Sequence, residues 1–191
     1  YMQYKSLSKE LEKYNMKNDE IWNIIDYNGT IIFQSFTSYF MFDGKSTKGI
    51  RCPLTFLFFN IFDNKIYTHT SQTGFSLLKF GTDQAEALSK TEIKSPVISV
   101  LNYGTKQALL VTKSDGLFLF DGFNASRFVT NADEELKRAD INRAVISKNG
   151  IILLGSILVG VRPDVLQPEP LRDRCLDQRR RHGVAAGRER L

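Results

Sequence analysis

One grammar recurs four times between residues 21 and 160, and it constrains the fold more than any other feature of the chain. The segments IWNIIDYNGTIIFQSFTSYFMFDGK from Ile21, LTFLFFNIFDNKIYTHTSQTGFSLLKFG from Leu54, VISVLNYGTKQALLVTKSDGLFLFDG from Val97 and INRAVISKNGIILLGSILVG from Ile141 each read as strand, tight turn, strand. In the first three a second turn and a third short strand follow, ending at Phe42, Phe80 and Phe120. That spacing predicts that the three phenylalanines occupy equivalent strands. The turns have a mechanism: Asn28-Gly29, Asp43-Gly44, Asp63-Asn64, Asp115-Gly116 and Asn149-Gly150 supply residues that tolerate positive φ where hairpins reverse. Leu117 to Phe120 is apolar at every position, so its strand is buried on both faces.

A period of about 40 residues, built from three or four short antiparallel strands with both faces buried, is the signature of a β-propeller blade. The expected fold is all-β: a partial β-propeller of about four incomplete blades, with short helical excursions and a disordered or weakly helical C-terminal tail. Four blades without closure partners predict an open arc with apolar edges. One excursion is SLSKELEKYNMKNDE, where Leu7, Leu11 and Tyr14 share a helical face behind Ser6 as a cap; the other spans Asn131 to Asp140. Residues 1–20 therefore read as the end of a preceding blade plus a linker helix, and 21–160 as the partial propeller.

Composition changes abruptly near Leu158. All 14 Phe, all seven Tyr and the single Trp lie before it, whereas residues 161–191 carry eight Arg and no Lys. Net charge divides into +2 for residues 1–160 and +3 for the tail, so the basic balance does not describe a basic folded surface. The tail reads as a chimeric or out-of-frame extension that adds nothing to the propeller. The run Arg179, Arg180, Arg181 lacks interleaved aromatics, so direct nucleic-acid binding is not expected. No apolar run reaches the roughly 20 residues of a membrane span, so no membrane insertion is expected.

Conventional catalytic chemistry is sparse. His69, His182, Cys52 and Cys175 show no ligand-like spacing, so neither a metal nor a Cys/His site is expected, and no glycine-rich phosphate loop points to a nucleotide. Cys52 reads as a small buried residue, and His69, in the strand IYTHTS, as solvent-facing or satisfied. Adjacent Glu134 and Glu135 read as a solvated cluster. Propeller geometry directs attention to the channel mouth. There Trp22, Asn142 and Arg143 stand at the starts of inner strands and Gln34 leaves a second strand. An aromatic ring, amides and a guanidinium suit a sugar or a carboxylated glycan.

The strings IWNIIDYNGTIIFQSFTSYFMFDGK and FVTNADEELKRADINRAVISKNGIILLGSIL closely resemble the sensor region of bacterial triple-tyrosine transmembrane regulators, which carry two-component-regulator-type propeller repeats. The resemblance covers about Gln3 to Leu158 and departs from Val159 onward. It implies a periplasmic, non-enzymatic sensing fragment of a longer regulator, responding to an oligosaccharide or other small molecule, needing no cofactor and allowing a dimeric parent. A propeller-fold glycan lyase or hydrolase and a protein-interaction scaffold are the alternative readings.

Overall fold

The computed structural model describes residues 6–15, 19–88 and 92–157, together with the backbone of 160–162. Four antiparallel sheets follow one another, each a meander in sequence order. Blade 1 contains β1 (Asn23–Tyr27), β2 (Thr30–Gln34), β3 (Ser38–Phe42) and β4 (Thr47–Arg51). Blade 2 contains β5 (Phe56–Phe62), β6 (Lys65–Thr70), β7 (Gly74–Leu78) and β8 (Ala85–Ala87). Blade 3 contains β9 (Val97–Tyr103), β10 (Gln107–Thr112), β11 (Leu117–Phe120) and β12 (Ala125–Phe128). Blade 4 contains β13 (Ile141–Ile146), β14 (Ile152–Ser156) and β15 (Gly160–Arg162). Two short helices, α1 (Ser8–Glu12) and α2 (Asp133–Arg138), precede blades 1 and 4. The first strands β1, β5, β9 and β13 pack successively on one another, which makes them the inner strands of a propeller arc.

The two-faced apolar pattern is what stacks the blades. In β10, Ala108, Leu109, Leu110 and Val111 are all 0% exposed, because alternate residues serve different interfaces. Ala108 and Leu110 join Tyr67, Phe75 and Phe120 between blades 2 and 3, while Leu109 and Val111 join Ile98, Ile141 and Ile152 between blades 3 and 4. A third cluster of Ile32, Tyr39, Met41, Phe56 and Ile66 binds blade 1 to blade 2. Each fully buried large side chain contributes on the order of 1.5–3 kcal/mol, so the interfaces, rather than the thin sheets, carry the stability.

The hairpin reversals follow the expected turn chemistry, with positive φ at Asn28, Gly29, Asp63 and Asn64. A second repeated device was not evident from spacing. In blades 1 to 3 the second strand ends at or beside a hydroxyl residue that ties the next turn. Ser35 Oγ bonds Ser38, Thr70 Oγ1 bonds Thr73, and Thr112 Oγ1 donates to the Gly116 carbonyl at 2.7 Å. In blade 4, Ser156 Oγ donates to the Ala139 carbonyl.

Four expectations are corrected. Phe42 and Phe120 are equivalent, pairing with Thr47 and Ala125, but the residue in that position of blade 2 is Leu78, paired with Ala85. The connection 79–84 is longer than its counterparts 43–46 and 121–124, so Phe80 falls outside β7 and stacks on Tyr27 instead. Leu7, not Ser6, occupies the N-cap of α1, and its side chain makes no capping bond. Strand β15 carries pairing to Arg162, past the expected boundary at 160, because an edge strand needs only backbone partners. The arc is also not wholly open, since one hydrogen bond joins its ends. The rest of the C-terminal tail, and the opening residues assigned to a preceding blade, lie outside the described residues.

Candidate functional site

The inner strands are stitched by one polar side chain per seam. Asn23 Nδ2 of β1 donates to the Phe59 carbonyl of β5 at 2.9 Å. Asn60 Oδ1 of β5 accepts from the Val100 N–H of β9 at 3.1 Å, and Ser99 Oγ of β9 accepts from the Ala144 N–H of β13 at 3.1 Å. Arg143 of β13 completes the series by donating from Nη2 to the Trp22 carbonyl, just ahead of β1, at 3.2 Å. Its guanidinium also lies 5.8 Å from the ring centroid of Phe58, a residue of blade 2 that packs against the core between blades 3 and 4. Phe58 takes a positive φ of 46°, where the register of β5 slips between Leu57 and Asn60. At that bulge Phe58 packs outside its own blade, against the core between blades 3 and 4.

Trp22 and Arg143 therefore meet, and the Trp22 N–H also donates to the backbone carbonyl of Gln34 at 2.8 Å. Trp22 is half exposed at 48% and packs on Phe36 of the β2–β3 turn with ring centroids 4.2 Å apart. Arg143 is exposed, and no ion pair to it is formed among the described residues. Asn142 is exposed beside it, at the β13 register shift between Ile141 and Arg143. An open aromatic pair beside a guanidinium is chemically suited to a flat, anionic, partly apolar ligand.

Gln34 takes a different part. It is 3% exposed, its Nε2 donates to the Phe56 carbonyl at 2.9 Å, and its Oε1 accepts from the Phe59 N–H at 2.8 Å. The amide is thus committed to the β5 bulge and is closed to a ligand. Phe36, from the same end of blade 1, supplies the surface that Gln34 does not. The sequence signal for it was weak: an aromatic residue inside a turn otherwise made of Ser and Thr.

His69 is neither solvent-facing nor satisfied. It is 8% exposed, its Nδ1 has no hydrogen-bond partner, and burial holds its pKa below the ordinary 6.5. It stands in blade 2 where Gln34 stands in blade 1, each next to the hydroxyl residue that ties the following turn. Cys52 is buried as expected, and burial pushes its thiol up to about 12, which makes it unreactive as a thiolate. Tyr67, likewise buried, is pushed up to about 12. Glu134 bonds Lys137 at 2.6 Å on the exposed face of α2. Among the described residues no group of three or more His, Cys, Asp or Glu could hold a metal ion. A shallow cleft of about 550 Å³ lies at the opposite end of blade 3, between Tyr103, Lys106, Gln107 and Phe123, and contains none of the four candidates.

No family model matches the chain, and no curated protein matches it. Solved structures do. The extracellular domain of the one-component system BT4673 from B. thetaiotaomicron aligns with a TM-score of 0.53 and 19% identity over 72% of this chain. The extracellular domain of the hybrid two-component system BT3049 from the same organism aligns at 0.51 and 18% over 74%. What they share with this chain is the propeller blade. A B. thetaiotaomicron protein of unknown function aligns at 0.52 with 9% identity over 73% of this chain and 43% of its own. The chain spans only 19% and 20% of the two sensor domains, about a fifth of their length. Among the described residues no helix is long and apolar enough to cross a membrane.

Proposed function

We propose that this chain is the ligand-receiving part of an extracytoplasmic sensor propeller, binding an acidic oligosaccharide without turning it over. One observation carries the reading. Trp22 and Arg143, 121 residues apart, are brought into direct contact where the two ends of the arc meet, with an exposed aromatic platform on one side and, on the other, a guanidinium that has no carboxylate partner among the described residues. Pyranose rings stack on aromatic faces, and a uronate carboxylate matches the fork of an arginine, so the ligand class is a saccharide carrying carboxylates. Asn142 would add an amide for ring hydroxyls. The extracellular sensor domains with the same fold support a sensing role and an extracytoplasmic location.

The chain has one tryptophan, so its tryptophan emission, excited apart from that of the seven tyrosines, reports on this site alone. Titration with oligogalacturonate should shift or quench Trp22 emission, and a neutral glucan of equal length should do so at least ten-fold more weakly. Arg143→Met should remove that preference. Equal responses to both sugars, or an unchanged response in Arg143→Met, would overturn the assignment. The titrated oligogalacturonate should be recovered uncleaved; cleavage abolished by replacing His69 would favour the lyase or hydrolase reading.

A further inference from the structure

The cleft at the end of blade 3 remote from Trp22 and Arg143 is lined by that blade alone; no residue of blade 1 or blade 4 contributes to it. It forms because both turns at this end of the blade depart from their counterparts. Residues 104–106 separate the paired Tyr103 and Gln107, one more than separates Tyr27 from Thr30 in blade 1 or Phe62 from Lys65 in blade 2. The longer reversal passes through Gly104 at φ 73° and sets Thr105, Lys106 and Gln107 on an exposed rim. Across the cleft, the turns after β3 and β11 are built alike. Asp43 Oδ1 accepts from the N–H groups of Lys45 and Ser46 at 2.8 and 2.7 Å, and Asp121 Oδ1 from those of Phe123 and Asn124 at 2.9 and 2.7 Å. The position that holds Lys45 in blade 1 thus holds Phe123 in blade 3. Phe123 stands 71% exposed on a turn fixed by its own aspartate, and Lys65 of blade 2 lies 5.4 Å from its ring centroid.

The walls offer uncommitted groups of both kinds. The side chains of Thr105, Lys106 and Gln107 make no hydrogen bond or ion pair among the described residues. Asp121 keeps Oδ2 nearly free, with one long bond from Asn124 Nδ2 at 3.4 Å, and the backbone N–H groups of Asn124 and Phe123 hold its carboxyl below the usual carboxylate range. One ammonium and one carboxylate therefore face the same space, and their charges cancel. A cationic ligand would meet Lys106 and find Phe123 already attended by Lys65, which does not line the cleft; a polyanion would meet Asp121. A neutral ligand rich in hydroxyls meets neither penalty. Each hydroxyl both donates and accepts, so it can accept from Lys106 and the Gln107 amide and donate to Asp121. The C–H face of a pyranose ring matches the aromatic faces of Phe123 and Tyr103. A volume of about 550 Å³ lies within the range of small-molecule sites.

We infer that this cleft is a second binding site, for a neutral saccharide, separate from the acidic-sugar site proposed where Trp22 meets Arg143. Phe123 is its stacking platform, and Lys106, Gln107 and Asp121 bond the sugar hydroxyls. The two sites share no residue, so this one fills without any change at Trp22.

Magnetic resonance on the isotope-labelled full chain tests this, with cellotetraose added to about 10 mM, enough to populate a millimolar site. The amide signals of Gly104, Lys106 and Gly122 should shift and saturate, while the indole N–H signal of Trp22 stays in place. Tetragalacturonate should produce the same shifts about ten-fold more weakly or less. Phe123→Ser should weaken cellotetraose by about ten-fold or more, whereas Phe123→Trp, which keeps an aromatic face, should preserve binding. Both change an exposed side chain and should keep the wild-type β-sheet circular dichroism; should Phe123→Ser lose it, Gln107→Ala, expected to weaken binding in the same direction, replaces it. Shifts that do not saturate, shifts at Trp22 instead of the cleft, an equal response to tetragalacturonate, or unchanged binding in the weakened variant would each overturn the inference.

Discussion

Replacing Gln34 with leucine tests whether the seam between blades 1 and 2 depends on a polar clamp or merely tolerates one. Leucine has nearly the same length and is buried as readily, so the change removes hydrogen bonding without opening a large cavity. It strands two buried peptide groups, the Phe56 carbonyl and the Phe59 N–H, which now bond the amide at 2.9 and 2.8 Å. Each buried group left unsatisfied costs about 1–3 kcal/mol, so the loss should be roughly 2–6 kcal/mol, a large share of the 5–15 kcal/mol typical of a domain. Urea unfolding should show a lower midpoint at unchanged slope. Asn23→Ala, which removes the neighbouring bond to the Phe59 carbonyl, should be non-additive with Gln34→Leu because the two amides share the bulge. A loss below about 0.5 kcal/mol, the range of ordinary surface substitutions, would refute the clamp.

His69 is buried, and burial alone holds its pKa below 6.5. The unfolded chain therefore binds its proton first as pH falls, and stability should decline from pH 6.5 downward by at most about 1.4 kcal/mol per pH unit; His69→Gln should flatten that slope in urea melts between pH 7 and 5, and an identical slope in the variant would exclude the residue as its source. Gly49→Ala should push Tyr14 off β4, because the new Cβ would lie 2.7 Å from its ring. Amide exchange in α1 should then accelerate at a cost of about 1–3 kcal/mol, and unchanged exchange would show that the helix is not held there.

The blades were legible because their cause is local. Turn residues with positive φ and strands apolar on both faces can be read residue by residue, and the hairpins at Asn28-Gly29 and Asp63-Asn64 formed where that chemistry placed them. Phe80 shows where spacing misleads: a longer loop slid it out of β7 while leaving the period almost intact. The meeting of Trp22 and Arg143 was legible only as a shared place at the channel mouth, since their contact depends on curvature accumulated over four sheets. Gln34 and His69 could not be separated from surface polar residues by type, because their burial follows from the bulge in β5 and from what the next blade offers. No residue of β5 announces that bulge; Phe58 is a poor candidate for positive φ, and only the packed structure makes it acceptable.

The bulge also gives the blades an address. Blade 2 alone presents the peptide groups of Phe56 and Phe59 to a neighbour, and blade 1 carries Asn23 and Gln34 to meet them. Moving blade 2 elsewhere in the array would leave those amides facing an inner strand without the positive-φ residue of β5, where His69 already shows what an unmatched polar group encounters. Shuffled or duplicated copies of these repeats would thus not be interchangeable modules: the order of the first two is written into the particular bulge of β5, and a rearranged chain would be marked by a buried mismatch at that seam.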